Sequence, residues 1–266
     1  MKFLSNLLII TLFLAAHSQC KSQTTHLVSP HALKQLGQKI WQRECGGSVA
    51  GLTCWNNGEE FPSLGIGHFI WYPAGKTKIF EETFPALLNY LIEHTIILPD
   101  WLIKAKENGC PWHTQKEFNA AQTSEKMNQL RTLLHTTIDL QAEFIITQAN
   151  NSMMKIIGHA PVEKKEDIER KLSRLKNTNN GLYALIDYLH FKGSGTNPAE
   201  QYHNQGWGLL QILESMELID SNPLQSFVNT AKNLLITRVK NSPPERNEAR
   251  WLPGWLNRVE SYLVQF

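Results

Sequence analysis

Hydrophobic positions recur at helical spacing over most of the chain, with one short stretch of different texture near its start. Ser29-Pro30 reads as an N-cap followed by proline in the first turn, and Leu33, Leu36, Ile40 and Trp41 then share a face. Gly46 and Gly47 stop that helix directly after Glu44 and Cys45. Residues 48–73 follow another rhythm. Glycines at 51, 58, 65 and 67, interleaved β-branched and aromatic residues, and Asn56-Asn57-Gly58 predict a small antiparallel sheet with tight turns. A helix is expected near 82–96. From Lys116 to Ile157, Met127, Leu130, Leu134, Ile138 and Ile145 form one stripe, as a single long helix or two with a break. Residues 161–176 mix basic and acidic side chains on a helix opened by Pro161, which reads as a solvated face. Leu182–Phe191 is a buried helix and residues 192–206 a polar, glycine-bearing loop. Further helices are expected near 207–219 and 222–240. Ser242-Pro243-Pro244 then breaks the chain before a last helix from about Gly254. The pattern predicts an α+β, helix-dominated fold with a small antiparallel sheet near the N-terminus, and no internal repeat.

The first residues stand apart from this pattern. Lys2 gives a positive start, Leu4 to Ala16 form an apolar stretch, and Ala16-His17-Ser18 fits a small-x-small cleavage site. Residues 1–19 therefore read as a secretory signal, and residues 20–266 as a single domain that is exported, periplasmic or secreted. The apolar run is too short for a permanent anchor, and no later segment is long enough to span a membrane. Cys20 raises lipidation, but His17-Ser18-Gln19 lacks the small residues that a lipoprotein signal needs.

Composition narrows the function. With 266 residues, 42% hydrophobic and 19% charged, the chain has the make-up of a folded globular protein. Its 26 basic and 24 acidic residues leave a net charge of +2, too little to grip nucleic acid. Eight tryptophans, many for this length, hint at a flat or cyclic ligand such as a sugar, although core packing also uses them. Among the four cysteines, Cys45 and Cys54 flank the glycine-rich turn and are the expected disulfide pair in an oxidising compartment. There is no C-x-x-C and no H-E-x-x-H, so neither a metal nor any other cofactor is expected.

One constellation carries chemistry. Glu44 ends an amphipathic helix one turn after Trp41, where helix carbonyls and an apolar wall both disfavour the carboxylate anion, as a general acid requires. A sheet follows at once, containing Ser63-Leu64-Gly65-Ile66-Gly67-His68, whose glycines let a backbone approach a sugar chain closely. Glycosidic cleavage then asks for a second polar group on the opposite face of the sugar.

Glu44, the turn-bearing sheet and Ser63-x-Gly65-Ile66-Gly67-His68 resemble the active-site segment of phage-type lysozymes (endolysins). In that family a helix-terminal Glu precedes a Thr-x-Gly-x-Gly-His strand. Leu182 to Asp187 with Phe191-Lys192-Gly193-Ser194-Gly195 resembles the family's buried helix and glycine turn. Leu252 to Glu260, including Arg258, resembles its C-terminal helix, and the three segments keep the family's order. The resemblance implies a divergent, exported member of the lysozyme-like superfamily. It implies a two-lobed domain, with a small sheet lobe at about 45–80 and a helical lobe at about 82–266. It also implies a monomer whose partner is the peptidoglycan glycan strand. Glu44 would be the general acid, with Ser63 and Glu59 or Asn57 on the opposite face. Gly65, Gly67 and His68 would shape the cleft floor, His68 also bridging the sheet to Glu44 or to the second lobe. Trp207 is placed at the lobe interface as a candidate for stacking on a sugar, and Arg258 is a candidate partner for an acid near Glu44.

The sequence departs from that family between Glu44 and Ser63, which are further apart than its pattern. Counting forward from Glu44 places Thr53 at the second acid, and counting back from Ser63 places Asn57; Glu59 and Glu60 lie close by. The expected activity is that of a muramidase-type glycoside hydrolase; the alternatives are a lytic transglycosylase using Glu44 alone, or a glycan-binding or inhibitory protein without activity. Cys54-Trp55, with His190 or His203 as base, adds a weaker cysteine-peptidase alternative.

Overall fold

A computed structural model describes residues 30–218 and 222–264. The proposed signal at 1–19, Cys20 and the Ser29 cap lie outside them. The first helix, α1 (Pro30–Cys45), buries Leu36 and Ile40 and lies along α6 (Ile138–His159). Gly37 permits that approach, because a Cβ there would stand 3.2 Å from Ala142 Cβ. Gly46 and Gly47 both take left-handed backbone angles, φ +62° and +64°, and end α1 immediately after Glu44 and Cys45.

The expected sheet is present as three antiparallel two-residue strands: β1 (Thr53–Cys54), β2 (Ser63–Leu64) and β3 (Phe69–Ile70). Register pairs Thr53 with Leu64, Cys54 with Ser63, Leu64 with Phe69 and Ser63 with Ile70. The turn from β2 to β3 is held from below by Gln141 of α6, which is fully buried. Its Oε1 accepts from Ile66 N at 3.0 Å, while its Nε2 donates to Leu134 O at 2.6 Å and Thr137 Oγ1 at 3.0 Å. One side chain thereby fixes the turn that carries His68 and the bend in the helical layer behind it.

Helices make up the rest: α2 (Phe84–Glu93), α3 (Asp100–Asn108), α4 (Gln115–Ala120), α5 (Glu125–Thr136) and α6, then α7 (Lys165–Lys176) and α8 (Gly181–Lys192). The long apolar stripe is broken twice. Thr114 and Ser124 accept from Glu117 N and Met127 N as N-caps of α4 and α5, and Thr137 separates α5 from α6. Met127, Leu130, Leu134 and Ile145 are buried as the stripe predicts, whereas Ile138 is only partly so. The charged α7 is not a purely solvated face. Lys171 is 5% exposed and donates to Leu213 O at 2.8 Å while pairing with Asp167 at 2.6 Å. α8 is buried on nearly all sides, as expected.

The segment expected to be a loop holds a hairpin, β4 (Gln201–Tyr202) and β5 (Gln205–Gly206), because His203 and Asn204 both adopt positive φ, +50° and +61°. α9 (Leu209–Ser215), α10 (Pro223–Asn241) and α11 (Leu252–Glu260) complete the chain, with Pro253 in the first turn of α11. Among the described residues no helix is long and apolar enough to cross a membrane.

Candidate functional site

A cleft of about 310 Å³ opens where the end of α1, the β2–β3 turn, α8 and α11 meet. Its size lies at the lower end of the range for small-ligand sites. Glu44 sits on its wall with 29% of its side chain exposed, close to His68, whose Nδ1 is 3.7 Å from Glu44 Oε2. His68 has a positive φ of +48°, a backbone state uncommon for a side-chain-bearing residue. The preceding turn sets that state. Gly65 has φ +67°, and a Cβ there would fall 2.4 Å from Gln141 Oε1; a Cβ on Gly67 would fall 2.7 Å from the Phe69 ring. The glycine pattern thus serves the tightness of this turn, and Gly67 and His68 line the cleft.

Arg258, reaching in from α11, joins two carboxylates. Its Nη2 donates to Glu44 Oε1 at 3.0 Å and to Asp187 Oδ1 at 2.7 Å, and its Nε donates to Asp187 Oδ2 at 2.9 Å. Asp187 is 4% exposed and also accepts from Tyr183 OH at 3.2 Å and from Tyr262 OH. Burial pushes its carboxyl up. The Arg258 hydrogen bonds and charge, with the two tyrosine hydroxyls, outweigh that and hold it below the usual carboxylate range. The fork of Arg258 and the buried Asp187 form a neutral bidentate pair. Glu44 is then the second carboxylate on Arg258, and the more exposed of the two. The cleft wall also carries His190, whose imidazole is drawn below the ordinary value by burial, against the pull of Glu44 and Asp187.

The structure thus brings together Glu44, Gly67, His68 and Arg258, and adds Asp187, Tyr183, His190 and Phe191 on α8. Other expected residues lie elsewhere. Ser63 is buried on β2 behind the turn, outside the cleft wall. Glu59 sits in the β1–β2 connection, where its Oε2 accepts from Asn56 at 3.1 Å, and Asn57 Oδ1 accepts from Gln115 at 3.0 Å. Thr53 Oγ1 accepts from Arg131 at 2.9 Å. Gly65 supports the turn without lining the cleft. Trp207 is 7% exposed, packed between the Arg238 guanidinium at 4.0 Å and the Tyr202 ring at 4.7 Å, so its faces are not open to a sugar.

The expected Cys45–Cys54 disulfide is replaced by free thiols, as is Cys110. Cys45 Sγ donates to Gly65 O and Cys54 Sγ to Ser63 O, each at 3.5 Å, so the two sulfurs serve different carbonyls of one strand–turn segment. Burial, then Cys54 and Glu44, push the Cys45 thiol up to about 12; burial and Glu59 push Cys54 up as well. That is the opposite of what a peptidase nucleophile needs. Among the described residues no group of three or more His, Cys, Asp or Glu is arranged to hold a metal ion.

Asp187 is the site residue that motif reading passed over. Its signal was a lone carboxylate inside an otherwise apolar helix, a position that demands a partner. Comparison with known proteins brings no match: no family model, no curated protein and no solved structure is similar to the chain.

Proposed function

We propose that this chain cleaves the β-1,4 bond between N-acetylmuramic acid and N-acetylglucosamine in peptidoglycan, with Glu44 as the acid that protonates the leaving oxygen. The observation that carries the reading is the placement of Glu44 as a solvent-reachable carboxylate on the cleft wall, beside an Arg258 already neutralised by Asp187. In this reading the sheet segment and the helices are the two lobes of a lysozyme-like fold, with the glycan strand running between them. A leader at 1–19 would carry the protein out to the wall it acts on.

The oxocarbenium-like centre left when the C–O bond breaks is captured in one of two ways. In a muramidase, water adds to the anomeric carbon and gives up its proton, which calls for a second group on the far face. Asp187 is committed to Arg258 and two tyrosines, and Ser63 and Glu59 lie off the cleft. In a lytic transglycosylase, a hydroxyl of the muramic acid itself closes on the anomeric carbon and returns its proton to Glu44. That intramolecular route needs no second carboxylate, and it is the one the cleft favours.

Isolated sacculi incubated with purified protein, with Glu44→Gln alongside, test the proposal by mass spectrometry of the soluble products. Muropeptides with 1,6-anhydro ends from wild type alone are expected. Reducing ends would assign hydrolysis instead. No release by wild type would refute cleavage and leave a glycan-binding protein.

A further inference from the structure

Against Phe191 and Arg258, which line the cleft, packs a compact group of cations and aromatic rings. Lys192, the last residue of α8, is 9% exposed. Its Nζ lies 3.3 Å from the centroid of the Trp255 ring and 4.1 Å from that of Phe191. Among the described residues this amine has neither a hydrogen-bond acceptor nor an ion-pair partner, and cation–π contacts are what it makes. Arg258 lies over the same Phe191 ring at 4.9 Å, so one aromatic side chain of the cleft wall touches both cations. Glu248, the nearby acid, is already spent: it takes a bidentate hydrogen bond from Arg238 at 2.8 and 2.9 Å and another from Tyr202 OH at 3.0 Å.

A buried lysine usually has a carboxylate to itself. Here the carboxylate is missing, although two aromatic walls hold the ammonium in place. We propose that Lys192 forms a subsite adjoining the cleft for a carboxylate borne by the glycan strand, either on the lactyl ether of muramic acid or on the stem peptide. This rests on the proposed action at Glu44 and gives it a specificity: strands with acidic substituents are preferred to neutral chitin-like strands. Trp255 is then a wall of the subsite and its natural reporter.

The charged groups facing the amine are Arg238 from α10, Arg258 from α11 and Glu248 from the turn between them. Burial and then Arg238 lower its pKa to about 7, against the pull of Glu248. The amine is a full cation on the acid side of neutrality, so carboxylate binding is stronger at pH 6 than at pH 8.

The test measures tryptophan fluorescence in two proteins, Glu44→Gln and Glu44→Gln with Lys192→Met; Lys192→Gln is run beside the latter in case one substitution impairs folding. Each is titrated with chitotetraose, with a peptide-free N-acetylglucosamine–N-acetylmuramic acid tetrasaccharide, and with the same tetrasaccharide carrying stem peptides. Loss of Lys192 is expected to raise Kd about tenfold, the equivalent of roughly 1.4 kcal/mol, for the carboxylated ligands while leaving chitotetraose unchanged. An effect on the peptide-free ligand assigns the lactyl carboxylate; an effect confined to the peptide-bearing ligand assigns the peptide. Equal affinities with and without Lys192, or an equal loss for chitotetraose, overturn the subsite. If wild type cuts sacculi and Lys192 does not discriminate, the subsite alone fails. If wild type leaves sacculi intact and no ligand binds, both proposals fall.

Discussion

Asp187→Asn probes the anchor on which the whole site depends. The carboxylate is 4% exposed and receives four hydrogen bonds: two from Arg258, one from Tyr183 and one from Tyr262. The substitution keeps the shape, removes the charge, and turns an amide N–H toward the guanidinium donors. Breaking a buried ion pair by changing one partner costs about 3–5 kcal/mol. Arg258 is 34% exposed and keeps Glu44 at 3.0 Å, so the lower end, about 3 kcal/mol, is expected. Urea unfolding at unchanged slope reads this as a fall in midpoint. Asp187→Leu combined with Arg258→Met should be about 1–2 kcal/mol less destabilised than Asp187→Leu alone, because the guanidinium that lost its buried partner is gone and Glu44, 29% exposed, is left to solvent. Recovery stays incomplete, since the Tyr183 and Tyr262 hydroxyls lose their acceptor. An Asp187→Asn protein within about 0.5 kcal/mol of wild type would refute the argument, since that is the scale of an ordinary surface change.

Three further outcomes are expected. Gly65→Ala places a methyl against Gln141 Oε1 at a positive φ, and should lower stability by about 2–3 kcal/mol in thermal or urea melts; an unchanged midpoint would mean that the turn relaxes freely. Asp187 has its carboxyl depressed below 3.8 in the folded protein, so its contribution is complete above that value and is lost as pH falls through the lower native one. Acid titration of stability should therefore be shallower for Asp187→Asn than for wild type, and parallel curves would count against the assignment. Alkylation in denaturant without reductant, followed by peptide mass spectrometry, should label Cys45, Cys54 and Cys110; a Cys45–Cys54 linked peptide would contradict the thiol hydrogen bonds.

Local signals were the ones legible in the sequence. Glycine punctuation placed the end of α1 correctly because Gly46 and Gly47 need left-handed angles that other residues avoid. The same logic locates the turn before His68, and Arg258, a candidate partner for an acid from its place in the last helix, pairs with Glu44 and the buried Asp187. Contacts between distant segments stayed hidden. Nothing local tells that Asn57 is held by Gln115 of α4, or that Trp207 is sealed beneath Arg238. α3 lacks a strong stripe, since Leu102 and Ala105 are its buried positions, and Lys171 looks like any surface lysine until Leu213 O is known to wait beside it. Asp187 required a tertiary partner more than seventy residues away before its role could be seen.

The bond from Arg258 to Glu44 spans 214 residues of sequence. During synthesis the N-terminal helix, its glycine stop and the turn with His68 all emerge long before the helix that bears Arg258. Until α11 docks, Glu44 and Asp187 lack the guanidinium that bridges them. The charge balance of the cleft is therefore a property of the assembled fold and not of its N-terminal half. A chain that stops short of α11 would hold Glu44 and Asp187 without the guanidinium that joins them.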